Sequence, residues 1–124
     1  MMTGEQYQKL LQLVRDRAGD AFRAAVKYDA RDWVVLYIRD DVATDELRGA
    51  FETLADRARD YEPIAGEAVY SGLGQTQATV ELHADAVLLH FRESDGGVVV
   101  SLDRNIAQGL GQFVNRCNGV LNRE

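Results

Sequence analysis

Apolar residues recur along this 124-residue chain with a spacing that switches between helix and strand values, and the switches mark out its elements. Tyr7, Leu10, Leu11 and Val14 fall three to four residues apart, which places them on one face of a helix. Ahead of them, Thr3-Gly4-Glu5-Gln6 has the spacing of a capping box, and Gly19-Asp20 supplies a stop, so the pattern predicts a helix over 4–18. From Phe22 the period becomes two. Phe22, Ala24, Val26 and Tyr28 are expected on one side of a strand, with Arg23, Lys27 and Asp29 on the other. Asp29-Ala30-Arg31-Asp32 are turn formers, and the unbroken run Trp33 to Ile38 reads as a second strand covered on both faces.

Thr44 is a good N-cap, Asp45 and Glu46 suit the positive end of a helix dipole, and Leu47, Phe51, Leu54, Ala55 and Ala58 make a stripe. A second helix is therefore expected over 44–60, with Pro63 barring its continuation. The stretch 62–76 reads as a loop or lead-in strand, with Glu67 to Tyr70 extended. Gln77 to His83 and Ala86 to Phe91 are strand-like, the first setting Ala78, Val80 and Leu82 against Thr79, Glu81 and His83. Asp95-Gly96-Gly97 signals a hairpin through the positive φ that glycine accepts, and Val98 to Leu102 is its second strand. Asp103 or Asn105 is placed to cap a last helix whose apolar face is Ile106, Leu110, Phe113, Val114, Cys117, Val120 and Leu121. The expected class is α+β, in the order α-β-β-α-β-β-β-α: a five-stranded antiparallel sheet with helices on both faces. No repeat or linker-like stretch divides it, so 1–124 is expected to be a single domain.

Composition narrows the functional classes. At 46% apolar and 27% charged residues the chain lies far from the disordered regime. A net charge of -6 repels phosphate backbones and anionic headgroups, which argues against nucleic acid and membrane partners. The only lysines are Lys9 and Lys27, and Asp outnumbers Glu; this usage resembles that of haloarchaeal proteins, with an arginine-rich mesophile as the alternative. Cys117 is the single cysteine, which precludes an intrachain disulfide or a cysteine-cluster metal site and suits a reducing cytoplasm. No signal-like segment or run of about 20 apolar residues is present. A cytoplasmic location is expected.

The element order resembles the roadblock/LC7 fold, a relative of the profilin-like layout. Phe22 to Ile38 match its first hairpin, Thr44 to Asp60 its intervening helix, Thr76 to Leu102 its three-strand meander and Asn105 to Leu121 its closing helix. The resemblance implies that helices one and three share one face of the sheet and helix two takes the other. It also implies a dimer, joined through 44–60 and 76–83, that acts as a scaffold or regulator for partners such as small GTPases and motors. It would leave Trp33 to Ile38 on a free edge, where two-sided apolarity calls for cover.

Candidate chemistry is sparse. His83 and His90 with Glu81 and Asp85 are metal-ligand types, but across a short hairpin the two histidines lie several rungs apart. Ser71-Gly72-Leu73-Gly74-Gln75-Thr76 lacks the third glycine, the lysine and the following helix of a phosphate loop. Cys117 belongs to an apolar stripe and is expected to be a buried core thiol, while Asp40-Asp41 read as turn carboxylates. Trp33, Tyr37 and Tyr28 read as core or dimer aromatics before a ligand-stacking patch. Gly109 and Gly111, each costing up to about 1 kcal/mol against Ala inside a helix, predict close approach of the sheet or of a second subunit, or else a kink. No catalytic, cofactor-binding or metal residue is assigned. The expectation is a non-catalytic interaction module, without cofactor, working as a homo-oligomer; the alternative is a small-molecule sensor with a profilin- or PAS-like pocket.

Overall fold

The computed structural model describes residues 4–122. They form α1 (Gly4–Ala18), β1 (Phe22–Asp29), β2 (Trp33–Ile38), α2 (Asp45–Asp60), β3 (Thr79–Leu82), β4 (Ala86–Glu93), β5 (Gly96–Asp103) and α3 (Gln108–Leu121). The order is the expected α-β-β-α-β-β-β-α. The strands make one antiparallel sheet in the spatial order β2-β1-β5-β4-β3, so α2 and the segment after it carry the chain from one edge to the other. Thr3 lies outside the described residues. The stop after α1 is visible in Gly19, at φ 54°, and Thr44 caps α2 by accepting a 3.1 Å bond from the Leu47 amide.

β5 is the spine of the core. Val98 and Val100 are fully buried and, with Leu102, face α1, where they meet Leu11 together with Phe22 and Ala25 of β1. Tyr7, Leu10 and Val14 close that layer, as the spacing on α1 requires. On the opposite face Ala55 and Ala58 of α2 pack on Tyr28, with Trp33 and Val99 beside them.

Two bulges redirect side chains that strict alternation would misplace. Phe22 pairs with Leu102 but Ala24 pairs with Ser101, so Arg23 is an extra residue in β1. Phe22 consequently joins Ala25 on the α1 face instead of sharing a face with Ala24, Val26 and Tyr28, and its ring lies 4.4 Å from that of Tyr37. In β2, Tyr37 pairs with Ala25 and Val35 with Val26, leaving Leu36 as the extra residue. Leu36 and Tyr37 then both pack towards α1 while Trp33 packs towards α2. The run Trp33 to Ile38 is thus apolar because it serves two layers, although it forms the edge that the roadblock resemblance implied. Five of its six side chains are half-buried and Val34 is exposed.

The hairpin at Asp95 forms, but its glycines do different work from that expected. Gly96 and Gly97 are the first residues of β5, and neither has positive φ. A Cβ on Gly97 would lie 2.6 Å from the Tyr28 hydroxyl and against the Phe91 carbonyl; one on Gly96 would lie 2.8 Å from the Asp29 Cα. Tyr28 is the cross-strand partner of Gly97, so the bare backbone is what lets the ring lie across the sheet. The expected extension of Glu67 to Tyr70 is also corrected. The amides of Val69 and Tyr70 both donate to the Gly66 carbonyl, at 2.9 and 3.1 Å, which winds the segment into turns.

The largest departure is α3. Asp103 does not cap it, because its carboxylate is taken by arginines, and a 3-10 turn over Arg104–Ala107 intervenes. Ile106 in that turn reaches the α1 layer, but α3 itself meets chiefly the turn before it. Only Gly111 of the helix is buried, and Cys117 is exposed, not a core thiol.

Gly97→Ala is expected to destabilise the fold by about 1–3 kcal/mol, since neither the Tyr28 ring nor the Phe91 carbonyl can yield without disturbing the centre of the sheet. Gly49→Ala, on an α2 site with nothing within 4 Å of the added carbon, is expected to stabilise it by about 0.5–1 kcal/mol. Chemical denaturation of both variants beside the parent checks the pair, and equal effects would contradict the account of Gly97.

Candidate functional site

Most strongly placed charges are occupied in holding elements together. Arg39, just past β2, donates from Nη1 to Asp103 Oδ2 at 2.8 Å and to the Asp20 carbonyl at 2.6 Å, and from Nη2 to Asp103 Oδ1 at 3.1 Å and Asp41 Oδ2 at 3.0 Å. Arg23 adds a 3.5 Å ion pair to the same Asp103. Asp103 is held below the usual carboxylate range chiefly by its bond from Arg39, and Asp41 likewise. Asp41 of the Asp40-Asp41 pair is therefore an anchor for Arg39. Arg59 clamps the β1–β2 turn onto α2 by donating to the carbonyls of Asp29, at 2.6 Å, and Asp32, at 3.0 Å. Arg104 donates to the carbonyls of His83, at 2.8 Å, and Gly111, at 3.1 Å, and to Asn115 Oδ1 at 3.0 Å, which fixes the root of α3 against the β3–β4 turn. Guanidinium suits this work because its planar fork reaches two or three acceptors at once.

A buried pair of titratable side chains lies on the α2 face. Tyr28 of β1 and His90 of β4 share a 2.6 Å hydrogen bond between the phenol oxygen and Nε2. His90 is 8% exposed, Tyr61 stands edge-on to its ring at 6.0 Å, and the Ala58 carbonyl accepts a longer 3.5 Å contact from the phenol. Burial lowers the His90 pKa and raises that of Tyr28, so the ring stays neutral and the phenol protonated. Arg92, two residues along β4, reinforces the first effect by repulsion and donates its own Nη1 to the Tyr61 carbonyl. Beside this pair the sheet emerges from under α2 in a cleft of about 130 Å³, lined by Leu54, Arg57, Leu88, Val99, Thr79 and Glu81 among others. Two further clefts, of about 150 and 210 Å³, lie at the β1–β2 end of the sheet around Asp29 and Gly96.

The sequence candidates do not converge. His83 pairs with Glu81 at 2.9 Å in an exposed position, whereas His90 is buried on Tyr28 four rungs along the β3–β4 ladder. Among the described residues no three His, Cys, Asp or Glu gather as a metal site. Ser71 to Leu73 form one 3-10 turn that leads into no helix. Trp33 stacks near Phe51 at 5.8 Å, Tyr37 on Phe22 and Tyr28 on His90, so the three aromatics are divided between two layers. Gly111 lies against the Arg104 guanidinium, 3.2 Å from where a Cβ would stand, while Gly109 faces open space. The Tyr28–His90 pair escaped sequence reasoning; the signal available was a tyrosine and a histidine on inward positions of strands, with a glycine opposite the tyrosine.

Fold and site together describe a small α+β sheet domain in which the arginines tether elements internally and large apolar side chains stand exposed on α3 and beside the α2–β3 cleft. Over residues 8–122 the chain matches, and belongs to, the family described as Domain of unknown function DUF7522. A search of curated proteins finds no match. Among the described residues no helix is long and apolar enough to cross a membrane.

The lowered His90 pKa fixes a pH response. The folded state binds the proton less readily than the unfolded chain, so the stability His90 contributes is complete above the unfolded value near 6.5 and falls away as pH drops towards the folded pKa. Denaturation midpoints measured between about pH 7.5 and 5 should fall, and His90→Gln should flatten that window. Tyr28→Phe strips the buried imidazole of its partner and is expected to cost about 1–3 kcal/mol. An unchanged pH slope in the His90 variant would remove His90 as the cause.

Proposed function

We propose that this chain is a non-catalytic protein-interaction module of scaffold or regulatory type, working as an oligomer. The observation that carries the reading is what lies open on the surface. The shifted ionisable groups are paired with structural partners, whereas apolar side chains stand uncovered on α3 and around the cleft between α2 and β3. Clefts of about 130 to 210 Å³ fall short of the roughly 300–1,000 Å³ that small-molecule sites usually enclose, so the sensor alternative has less support.

Within this proposal the α2–β3 cleft docks the partner. Leu54 and Leu88 provide apolar ground there, and Arg57 and Glu81 offer charges of both signs at its rim, the mixture usual for a reversible protein contact. A roadblock resemblance would imply a subunit contact in the same region, at 44–60 and 76–83, and offers small GTPases as the first partner class to try. The setting that suits the arginine- and aspartate-rich composition is a salt-rich cytoplasm.

A photo-reactive amino acid placed at Glu81, on the exposed edge of the cleft, tests the proposal in the native host. A discrete adduct with one protein is expected, and the same probe at Arg17 on α1 should give none. Equal, diffuse labelling from both positions, or none from Glu81, would defeat the docking role of the cleft.

A further inference from the structure

The helix that the fold leaves uncovered has a pattern of its own. Leu110, Phe113, Val120 and Leu121 of α3 are 51%, 64%, 66% and 78% exposed, and Cys117 between them is exposed too. Leu110, Phe113, Cys117 and Val120 follow one another at steps of three, four and three residues, the spacing of the seam in a two-helix coil. The helix meets its own chain elsewhere: Gly111 is buried and Val114 half-buried, on a side turned about a quarter-turn or more from that seam. The seam is therefore not a core face seen from behind.

We infer that α3 pairs with the α3 of a second copy of this chain through Leu110, Phe113, Cys117 and Val120. This deepens the interaction-module proposal by naming its self-contact, and rests on it. Charge favours a copy over a foreign partner. The chain carries a net charge of -6, yet from Gln108 to Leu121 the only charged side chain is Arg116, so this is a surface on which two acidic molecules can meet without facing carboxylates. A strongly charged partner would find no ion pairs there, whereas an identical seam supplies apolar residues at matching intervals across a two-fold axis. Gly109 beside the seam has nothing of its own chain within 4 Å of a Cβ position, so its bareness serves no internal packing and leaves room for an approaching helix.

Area agrees with this occupant. At roughly 150 Å² for a fully exposed side chain of this size, Leu110, Phe113 and Val120 offer on the order of 270 Å² of apolar surface, and Leu121 on the flank of the seam brings this to about 400 Å². A standard interface buries roughly 800 Å² on each partner, of which about 450–500 Å² is apolar. With Cys117 added, the seam and its Leu121 flank together supply about that share.

The test is the mass of the full chain by light scattering after gel filtration, at about 100 µM, well above the dissociation constants of micromolar pairs. The parent is expected at twice the 13.8 kDa chain mass, and Phe113→Asp and Val120→Asp at 13.8 kDa with unchanged circular dichroism. Leu13→Asp, on an exposed leucine of α1, should stay dimeric. Because Cys117 is the only cysteine, a short bismaleimide should join two parent chains and fail on Phe113→Asp. Should an aspartate variant not fold, Phe113→Gln is expected to weaken the dimer at least tenfold. A parent at 13.8 kDa, or a dimer that survives both aspartate substitutions, overturns the pairing. A monomer that still gives the Glu81 adduct overturns this inference and the oligomeric part of the proposed function but leaves the docking role of the cleft standing; a dimer through α3 without that adduct removes only the docking role of the cleft.

Discussion

The α2 half of the molecule depends on room left for one ring. Tyr28 lies across Gly97, bonds His90 on β4 and carries Ala55 and Ala58 of α2 on its other side. A side chain at position 97 would displace the ring, leave the imidazole without its partner and lift α2 from the sheet. The strands beneath are secured separately, by Val98 and Val100 against α1. Two layers thus rest on opposite faces of β5, one through aliphatic burial and one through a hydrogen-bonded aromatic, and they need not fail together.

Charge is used at short range. Arg39, Arg59 and Arg104 each gather acceptors from segments distant in sequence, several of them backbone carbonyls that cannot titrate. Such bonds fix where loops and helix roots sit, while burial supplies the bulk of the stability. The arginine excess that composition displays therefore has an architectural use in addition to any environmental one.

Much of the fold was legible in the chain. The bounds of α1, β1, β2 and α2 followed from the changes of period and from Thr44, and the element order followed from them. What was not legible needed knowledge of a neighbour. The bulges at Arg23 and Leu36 exist only relative to a partner strand, so local alternation puts Phe22 on the wrong face. Gly96 and Gly97 announced a hairpin correctly, but for the reason of turn dihedrals, because the ring of Tyr28 opposite them is invisible to local pattern. Asp103 has the composition of a cap and is claimed by Arg39 across 64 residues of chain. Amphipathic spacing marks the stripe on α3 as a face to be covered but cannot say whether the cover comes from the same molecule, and the Cys117 expected in a core is exposed instead.

The margins of the sheet carry a last consequence. An open edge is a template on which further strands can add without limit. Here one margin, β3, is four residues long, and the other, β2, is kinked by its extra residue at Leu36. Neither offers a straight ribbon for edge-to-edge growth, so the margins of the sheet are guarded against fibrous stacking.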